Sequence, residues 1–464
     1  MYIKLKNIGV MRQAVFEPGN MTIICGQNNT GKTYATYTLY GFHSFWNKSY
    51  VIDDINDSAI DNLLANGVAK LDLQKYADTA QKLVTRACQQ YSRNIAHVFS
   101  ANLDYFKDSA FSIELNDASP DVLTASYKSM INTAKGSLFS ITKETSSSIL
   151  IVSSLSKGDK LSIPKPILKK YISDAIKEVV FGKSFVMPFI ASAERTGAAI
   201  FRRELNFARN RLLEELSSKN KEVNPLDLLV KVRPEYPLPV EDNVNFTRQL
   251  ESFIKDKSFI AERYPDILDD FQDIIGGDYR VNKNDELYYV PKGKKIRLSL
   301  DTSSSAVRSL LDIGFYLRYE AEPGDFIMID EPELNLHPEN QRRIARLFAR
   351  LLNIGIRIFI TTHSDYIIRE LNTLIMLNQD EEHIRRIMQR EGYKKEELIC
   401  TEGICVYVAG NSQVKCEGAK RKVTCCTLTK ADIDPVYGIK VESFDETINK
   451  MNQIQDDIVW GGNE

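Results

Sequence analysis

The residues of this chain best suited to chemistry are a lysine and threonine closing a glycine-bracketed run, two adjacent carboxylates far downstream, and a histidine beyond them. The run is Gly26-Gln27-Asn28-Asn29-Thr30-Gly31-Lys32-Thr33, the spacing G-x-x-x-x-G-K-T. Its glycines let the backbone turn tightly enough for consecutive N–H groups to surround phosphate oxygens. A helix start behind the loop adds positive potential, Lys32 is placed to reach β- and γ-phosphates, and the Thr33 hydroxyl is a ligand for Mg²⁺. The carboxylates are Asp330 and Glu331, followed at once by Pro332, and the histidine is His363 within Thr361-Thr362-His363-Ser364. Phosphoryl transfer is mostly positioning and charge stabilisation, so a metal ligand, a base and a neutral donor suffice for it. Without the right elements around them, the glycine run is a chance loop and the carboxylates a solvated strand end.

Those elements are legible. Met21–Cys25 is a short apolar run that reads as a buried strand entering the glycine loop, and 33–46 is helix-capable. Residues 326–329 are apolar and too few for a helix, so they read as a second buried strand. A helix-period segment at 341–352 then leads to a third strand at 356–360. Strand, helix, strand at this spacing is a βαβ unit with parallel strands, and ligands of such sheets bind at the strands' carboxyl ends. Asp330, Glu331 and His363 are therefore expected at one edge.

Together GQNNTGKT, FIMIDEPELNLHP and TTHS resemble the ABC-type ATPase heads of the SMC, RecF and OLD group, the second as Walker B with D-loop and the third as the switch-histidine segment. The resemblance implies an α/β ATPase head, an antiparallel β lobe beside a RecA-like lobe with a parallel sheet, broken by a helical insertion. It implies ATP and Mg²⁺ as ligands: Gly26, Gln27, Asn28, Asn29, Thr30, Gly31, Lys32 and Thr33 around the phosphates, Thr33 and Asp330 on the metal, Glu331 polarising the attacking water, and His363 on the γ-phosphate. Such heads carry a signature sequence, usually LSGGQ, before Walker B. Here Asp301-Thr302-Ser303-Ser304-Ser305 takes its place, with serines where the glycines would be. Hydroxyls and N–H groups at a helix start suit a phosphate, so Ser303, Ser304 and Ser305 are expected against ATP held by a second copy, which makes the active unit at least a dimer. An ordinary serine N-cap is the other reading. The segment ASAERTG after a strand at 185–190 resembles a motif of small prokaryotic ATPases of this group. Its arginine, Arg195, is read either as a charge stabiliser near nucleotide or interface, or as a structural ion-pair partner.

Composition bounds the rest. With 464 residues, 43% hydrophobic and 26% charged, the chain reads as an ordinary soluble protein of two or three domains. Its net charge of −2 supplies no global basic field, so contact with DNA would need a local patch, the candidates being 165–170, 292–297 and 415–422. No apolar run approaches the ~20 residues that span a bilayer, so no membrane is expected and a cytoplasmic location is, in keeping with a free Cys25 beside the loop. Five of the seven cysteines lie at 400, 405, 416, 425 and 426 without paired C-x₂-C spacing, which favours free thiols over zinc. The expected organisation is an N-terminal part of the head at 1–50 and 109–200, an insertion of helices alone at 51–108, a helical arm at 201–278, the C-terminal part of the head at 279–375 and a small α/β tail at 376–464. Residues 14–16 and 21–25 read as a hairpin delivering the loop, 282–285 as another hairpin's turn, and the aromatics of 34–46 as a stacking surface or as core.

The resemblance extends to the ATPase subunits of bacterial anti-phage pairs such as PARIS and Septu. It implies a sensor or scaffold that controls a separately encoded, nuclease-like effector, with a phage protein as candidate trigger. The tail is too short for the Toprim domain that OLD proteins append, so the chain is not expected to cut nucleic acid itself. The alternative is a RecF- or SMC-like ATPase that clamps DNA in repair or maintenance. A non-hydrolysing interaction protein fits poorly with intact Lys32, Asp330, Glu331 and His363.

Overall fold

The structure, a computed structural model, describes residues 1–116, 120–133, 136–155, 164–182, 184–201, 236–282, 286–416, 421–440 and 442–460. The expected charged arm at 207–222, most of the proline-rich stretch at 225–239 and the centre of the 282–285 turn lie outside the described residues. The chain forms two compact units, one of residues 1–4, 41–94 and 110–187, the other of residues 5–40, 95–109 and 188–464.

The larger unit is built on a six-stranded sheet. Its strands are β1 (Met21–Cys25), β2 (Phe189–Ala191), β3 (Phe326–Asp330), β4 (Arg357–Thr362), β5 (Ile404–Val414) and β6 (Val423–Lys430), in the order β6-β5-β1-β4-β3-β2. All neighbours are parallel except β5 and β6. Every residue of β1 and β3 is buried. A parallel sheet covered on both faces demands such continuous apolar runs rather than alternation. Met328, Ile327 and Ile329 are wholly inaccessible, each side chain stabilising the fold by about 1.5–3 kcal/mol. The helix Pro338–Asn353 crosses from β3 to β4 and buries Ile344, Leu347, Phe348 and Leu351 on one stripe. Proline at its first position, where no N–H partner is needed, starts it cleanly.

Register sets the site. Asp330 pairs with Thr361, and Thr362 with Cys25. The carboxyl ends of β3, β4 and β1 therefore finish level, and Gly26 follows directly.

Three expectations need correction here. Residues 14–16 and 21–25 do not form a hairpin: Met11–Phe16 belongs to a separate sheet, while Met21–Cys25 lies inside the parallel core. A strand buried on both faces gains more between two strands than at the end of a hairpin. The segment beyond 376 is not merely an appended tail, because residues 404–408 of β5 pair with the whole of β1 and β6 adds to β5. In the smaller unit, the stretch 51–108 is not helical throughout. Its helix Asp57–Asn66 stops at Gly67, whose φ of 75° is the left-handed cap that glycine accepts, and the strand Val68–Asp72 follows with alternating burial.

That strand edges a four-stranded antiparallel sheet, the others being Ile149–Ser154, Gly136–Lys143 and Tyr127–Thr133 in that order. The smaller unit's core is aromatic: Trp46 lies 4.8 Å from Phe185 and Phe42 4.9 Å from Phe111, centroid to centroid. Phe42 and Trp46 are core residues, not a stacking surface, and Tyr37 and Tyr40 in the larger unit are equally buried.

Candidate functional site

The glycine loop leaves the end of β1 and enters the helix Lys32–Ser44. Gly26 and Gly31 sit at φ 136° and 91°. A Cβ on Gly26 would stand 2.4 Å from the Ala409 carbonyl oxygen of β5, and one on Gly31 2.8 Å from Met11 Cγ. Only glycine fits a backbone so pressed. Thr30 Oγ1 donates to the Gln27 carbonyl at 2.7 Å, and the Cys426 thiol of β6 donates to the Thr30 carbonyl at 3.0 Å. Gln27, Asn28 and Asn29 form an exposed crest.

Lys32 is only 5% exposed, and its Nζ donates to the carbonyls of Gly26 at 3.0 Å and Gln27 at 2.9 Å. Burial draws this ammonium below its ordinary range, while the negative charges of Glu331, Asp330 and Glu333 push it back up. The lysine is thus surrounded by anions and main-chain oxygens that a phosphate can replace.

Thr33 Oγ1 donates to Asp330 Oδ2 at 3.0 Å. The Thr361 hydroxyl donates to the other oxygen, Oδ1. Asp330 is fully buried. Desolvation raises its carboxyl from 3.8 to about 6, the two hydroxyls opposing the rise and Glu331 and Glu194 adding to it. A buried carboxylate and a neighbouring hydroxyl are hard oxygen donors that fit Mg²⁺. Among the described residues no group of three or more His, Cys, Asp or Glu is arranged to hold a metal alone. Mg²⁺ does not require one, since it is usually held by one or two carboxylates together with phosphates and water.

Glu331 has φ 52°, a left-handed backbone unusual for a non-glycine residue. Its N–H donates to the Thr361 carbonyl at 3.1 Å, and its carbonyl accepts from Arg195 at 2.7 Å. This turn directs the residue away from the line of β3 and leaves its side chain 24% exposed. His363 Nδ1 lies 3.3 Å from Glu333 Oε1 and 3.7 Å from Glu331 Oε1, and the His363 N–H donates to Glu333 Oε1 at 2.8 Å. Glu333 is buried, and its Oε2 has no protein partner. With Nδ1 turned to these carboxylates, Nε2 is the nitrogen left for a ligand.

The structure therefore brings Lys32, Thr33, Asp330, Glu331 and His363 to one edge. It treats Arg195 differently. The guanidinium is 2% exposed and donates to four carbonyls: Ser309 at 2.7 Å, Ser192 at 2.9 Å, Asp330 at 2.6 Å and Glu331 at 2.7 Å. Of the two readings of this arginine, the simple ion pair does not describe it, since its partners are main-chain oxygens. The side chain ties the end of β3 to two other segments. Ser303, Ser304 and Ser305 lie at the start of the short helix Ser305–Ser309, where Ser304 Oγ accepts from the Val307 N–H at 3.3 Å as an N-cap. Ser303 Oγ donates to the Ser299 carbonyl at 2.8 Å.

Sequence reasoning missed Thr361, Glu333, Tyr37 and Glu194. Thr361, Glu333 and Glu194 stand inside the segments TTHS, FIMIDEPELNLHP and ASAERTG, so a hydroxyl near the end of β4, a second glutamate after Asp330 and the glutamate before Arg195 are available signals. Nothing local marks Tyr37.

Among solved structures this fold is similar to the SMC head bound to the C-winged helix domain of ScpA, with a TM-score of 0.33 and 11% identity over 92% of this chain and 97% of that one. It is likewise similar to the SMC head domain from Thermotoga maritima, with a TM-score of 0.30 and 10% identity over 93% and 98% of the two chains. A third is the SMC head domain with an extended coiled coil bound to the C-terminal domain of ScpA, from Pyrococcus furiosus, with a TM-score of 0.28 and 12% identity over 98% of each chain. No curated protein sequence matches. No helix among the described residues is long and apolar enough to cross a membrane. The sequence profile of the AAA ATPase domain family matches residues 1–368, which span the glycine loop, the Asp330–Glu331 strand end and His363 alike, and the chain belongs to that family.

Proposed function

We propose that the chain binds Mg²⁺ and ATP on the 26–33 loop, hydrolyses the nucleotide in a site completed by a second copy, and through that cycle controls a separately encoded, nuclease-like effector in anti-phage defence. One observation carries the ATPase reading: the Thr33 hydroxyl meets the Asp330 carboxylate at 3.0 Å beside a buried lysine held by loop carbonyls. Such a cluster has a large desolvation cost and no packing value of its own. The defence role rests on resemblance to the ATPase subunits of anti-phage pairs.

In this reading Lys32 exchanges the Gly26 and Gln27 carbonyls for phosphate oxygens, and the loop N–H groups take the remaining ones. Thr33 and Asp330 hold the metal, which when bound neutralises charge developing on the β- and γ-phosphate oxygens. Glu331 accepts a proton from the attacking water, its carboxylate aimed by a backbone that Thr361 and Arg195 hold in place. His363, oriented by Glu333, gives Nε2 to the γ-phosphate side. Arg195 is a positioning residue. Ser303 to Ser305 of a second copy close the site.

The deciding experiment is Glu331→Gln in the full chain. Retained ATP with lost turnover and a stabilised oligomer supports the reading, and wild-type turnover removes Glu331 as the base. Co-expression with candidate nuclease-like genes tests the effector link. Lys165 and Lys169, in one candidate basic patch, pair with Asp61 at 2.6 Å and Asp57 at 2.7 Å, which leaves less charge for DNA. Affinity for duplex DNA that falls steeply with salt would move the assignment to a DNA-clamping ATPase.

A further inference from the structure

One carboxylate at this edge has no part in the scheme above. β2 runs parallel to β3 with Ala191 opposite Ile329, so Glu194, three residues past the end of β2, comes out at the same carboxyl edge as Asp330. Its Oε2 accepts a hydrogen bond from the Tyr37 hydroxyl at 3.0 Å. Tyr37 follows Thr33 by four residues on the Lys32–Ser44 helix, and residues so spaced share a face. Helical side chains lean toward the N-terminus, so the long tyrosine reaches back toward the level of Thr33. Two bonds of equal length, Thr33 to Asp330 and Tyr37 to Glu194, thus tie one helix face to two neighbouring strand ends.

Burial first, and then the neighbouring carboxylates, keep the Tyr37 hydroxyl protonated, so it is a constant donor to Glu194. It is 3% exposed, whereas Glu194 is exposed to solvent. Like charges at one edge destabilise the metal-free fold. A divalent cation held by Thr33 and Asp330 would offset that repulsion.

We infer that Glu194 is a second anionic group of the magnesium site, acting on a water of the metal's shell, and that Tyr37 is the residue that positions it. This rests on the ATPase reading and adds a residue to it. Outer-shell partners of bound metals typically contribute ~10- to 100-fold in metal affinity or activity.

The test uses the full chain as wild type, Glu194→Gln, Glu194→Asp and Tyr37→Phe. A fluorescent ATP analogue is titrated at graded Mg²⁺ and in chelator, and turnover is followed in parallel. Glu194→Gln is expected to leave chelator-state nucleotide affinity at or above wild type, to raise the half-saturating Mg²⁺ about 10-fold, and to lower kcat by at least as much. Glu194→Asp should restore part of the metal affinity, because it keeps the charge. Tyr37→Phe should shift the Mg²⁺ midpoint the same way by a few-fold, and it carries the test if Glu194→Gln fails to fold. A wild-type Mg²⁺ midpoint in both Glu194→Gln and Tyr37→Phe overturns the inference even if both melt lower, since a purely structural contact would do only that. Absence of Mg²⁺-dependent ATP binding in the wild type removes both this inference and the ATPase reading. Normal wild-type behaviour with Glu194→Gln and Tyr37→Phe both indifferent removes this one alone.

Discussion

The edge where β1, β3 and β4 finish and the serine turn at 301–305 are both loops that lead into helices, and they handle polar groups in opposite ways. At the edge, Thr33, Asp330 and Thr361 come from distant parts of the chain, and Asp330 and Thr361 are wholly buried. At the turn every bond is local: Thr302 Oγ1 donates to the Ser299 carbonyl at 3.0 Å, Ser303 Oγ to the same carbonyl at 2.8 Å, and Ser304 Oγ caps Val307 at 3.3 Å. A buried long-range cluster costs desolvation and calls for a ligand to offset it. A local turn satisfies itself. The first region is assembled within one copy, whereas a role for the second depends on a neighbour, and the contrast can be tested from both sides.

The largest effect should come from Lys32→Ala, which removes the buried cation facing the loop. Nucleotide affinity should fall on the order of 100-fold or more, and equilibrium binding of a fluorescent ATP analogue checks it. Unchanged affinity would take the edge out of nucleotide chemistry altogether.

Next comes Glu331→Gln. Turnover should drop roughly 10²- to 10⁴-fold, the usual contribution of a positioned acid or base, while ATP stays bound. Single-turnover kinetics separate the two steps.

Asp330→Asn should show a pH signature in chelator-treated protein. The folded carboxyl sits at about 6 against an ordinary 3.8, so folding favours its neutral form. Its stabilising contribution is complete below about pH 3.8 and is lost as pH rises through about 6, a difference of about 3 kcal/mol at neutral pH. The asparagine cannot ionise, so the variant should gain stability relative to wild type between pH 4.5 and 7.5, read as urea midpoints. Mg²⁺ should narrow that gap by stabilising wild type alone. An equal difference at both pH values would contradict the burial argument.

The smallest effect belongs to the turn. Ser304→Ala should cost about 1 kcal/mol through loss of the N-cap, with nucleotide binding by the isolated chain unchanged. If the turn serves a second copy, turnover should fall more at high protein concentration than the lost cap explains. A loss of turnover independent of concentration would place any action of Ser304 within its own copy.

How much of this was legible depends on the distance between the residues involved. The glycine loop, the β3 strand end and the threonine–histidine segment are contiguous motifs, and their residue types already name the chemistry. The aromatics after the loop were ambiguous by type, because a ring that packs and a ring that stacks have the same sequence pattern. Their role as core is decided by neighbours such as Phe111 and Phe185. The segment around Arg195 marks the residue in the sequence but not what it binds. Its partners are main-chain carbonyls, and carbonyls carry no residue identity that a sequence can display.

The sequence by itself determined the loop, the adjacent carboxylates, the parallel βαβ unit and hence the edge at which a nucleotide would lie, because each follows from local backbone freedom, charge and hydrophobic period. Only the tertiary structure decided that β5, from the last quarter of the chain, would pair with β1 and press on Gly26, that Thr361 would orient Asp330, and that Tyr37 would hold Glu194 beside it. The reason is physical: strand pairing and side-chain contact between distant segments are set by which surfaces exclude water together, and no stretch of sequence contains both halves of that choice.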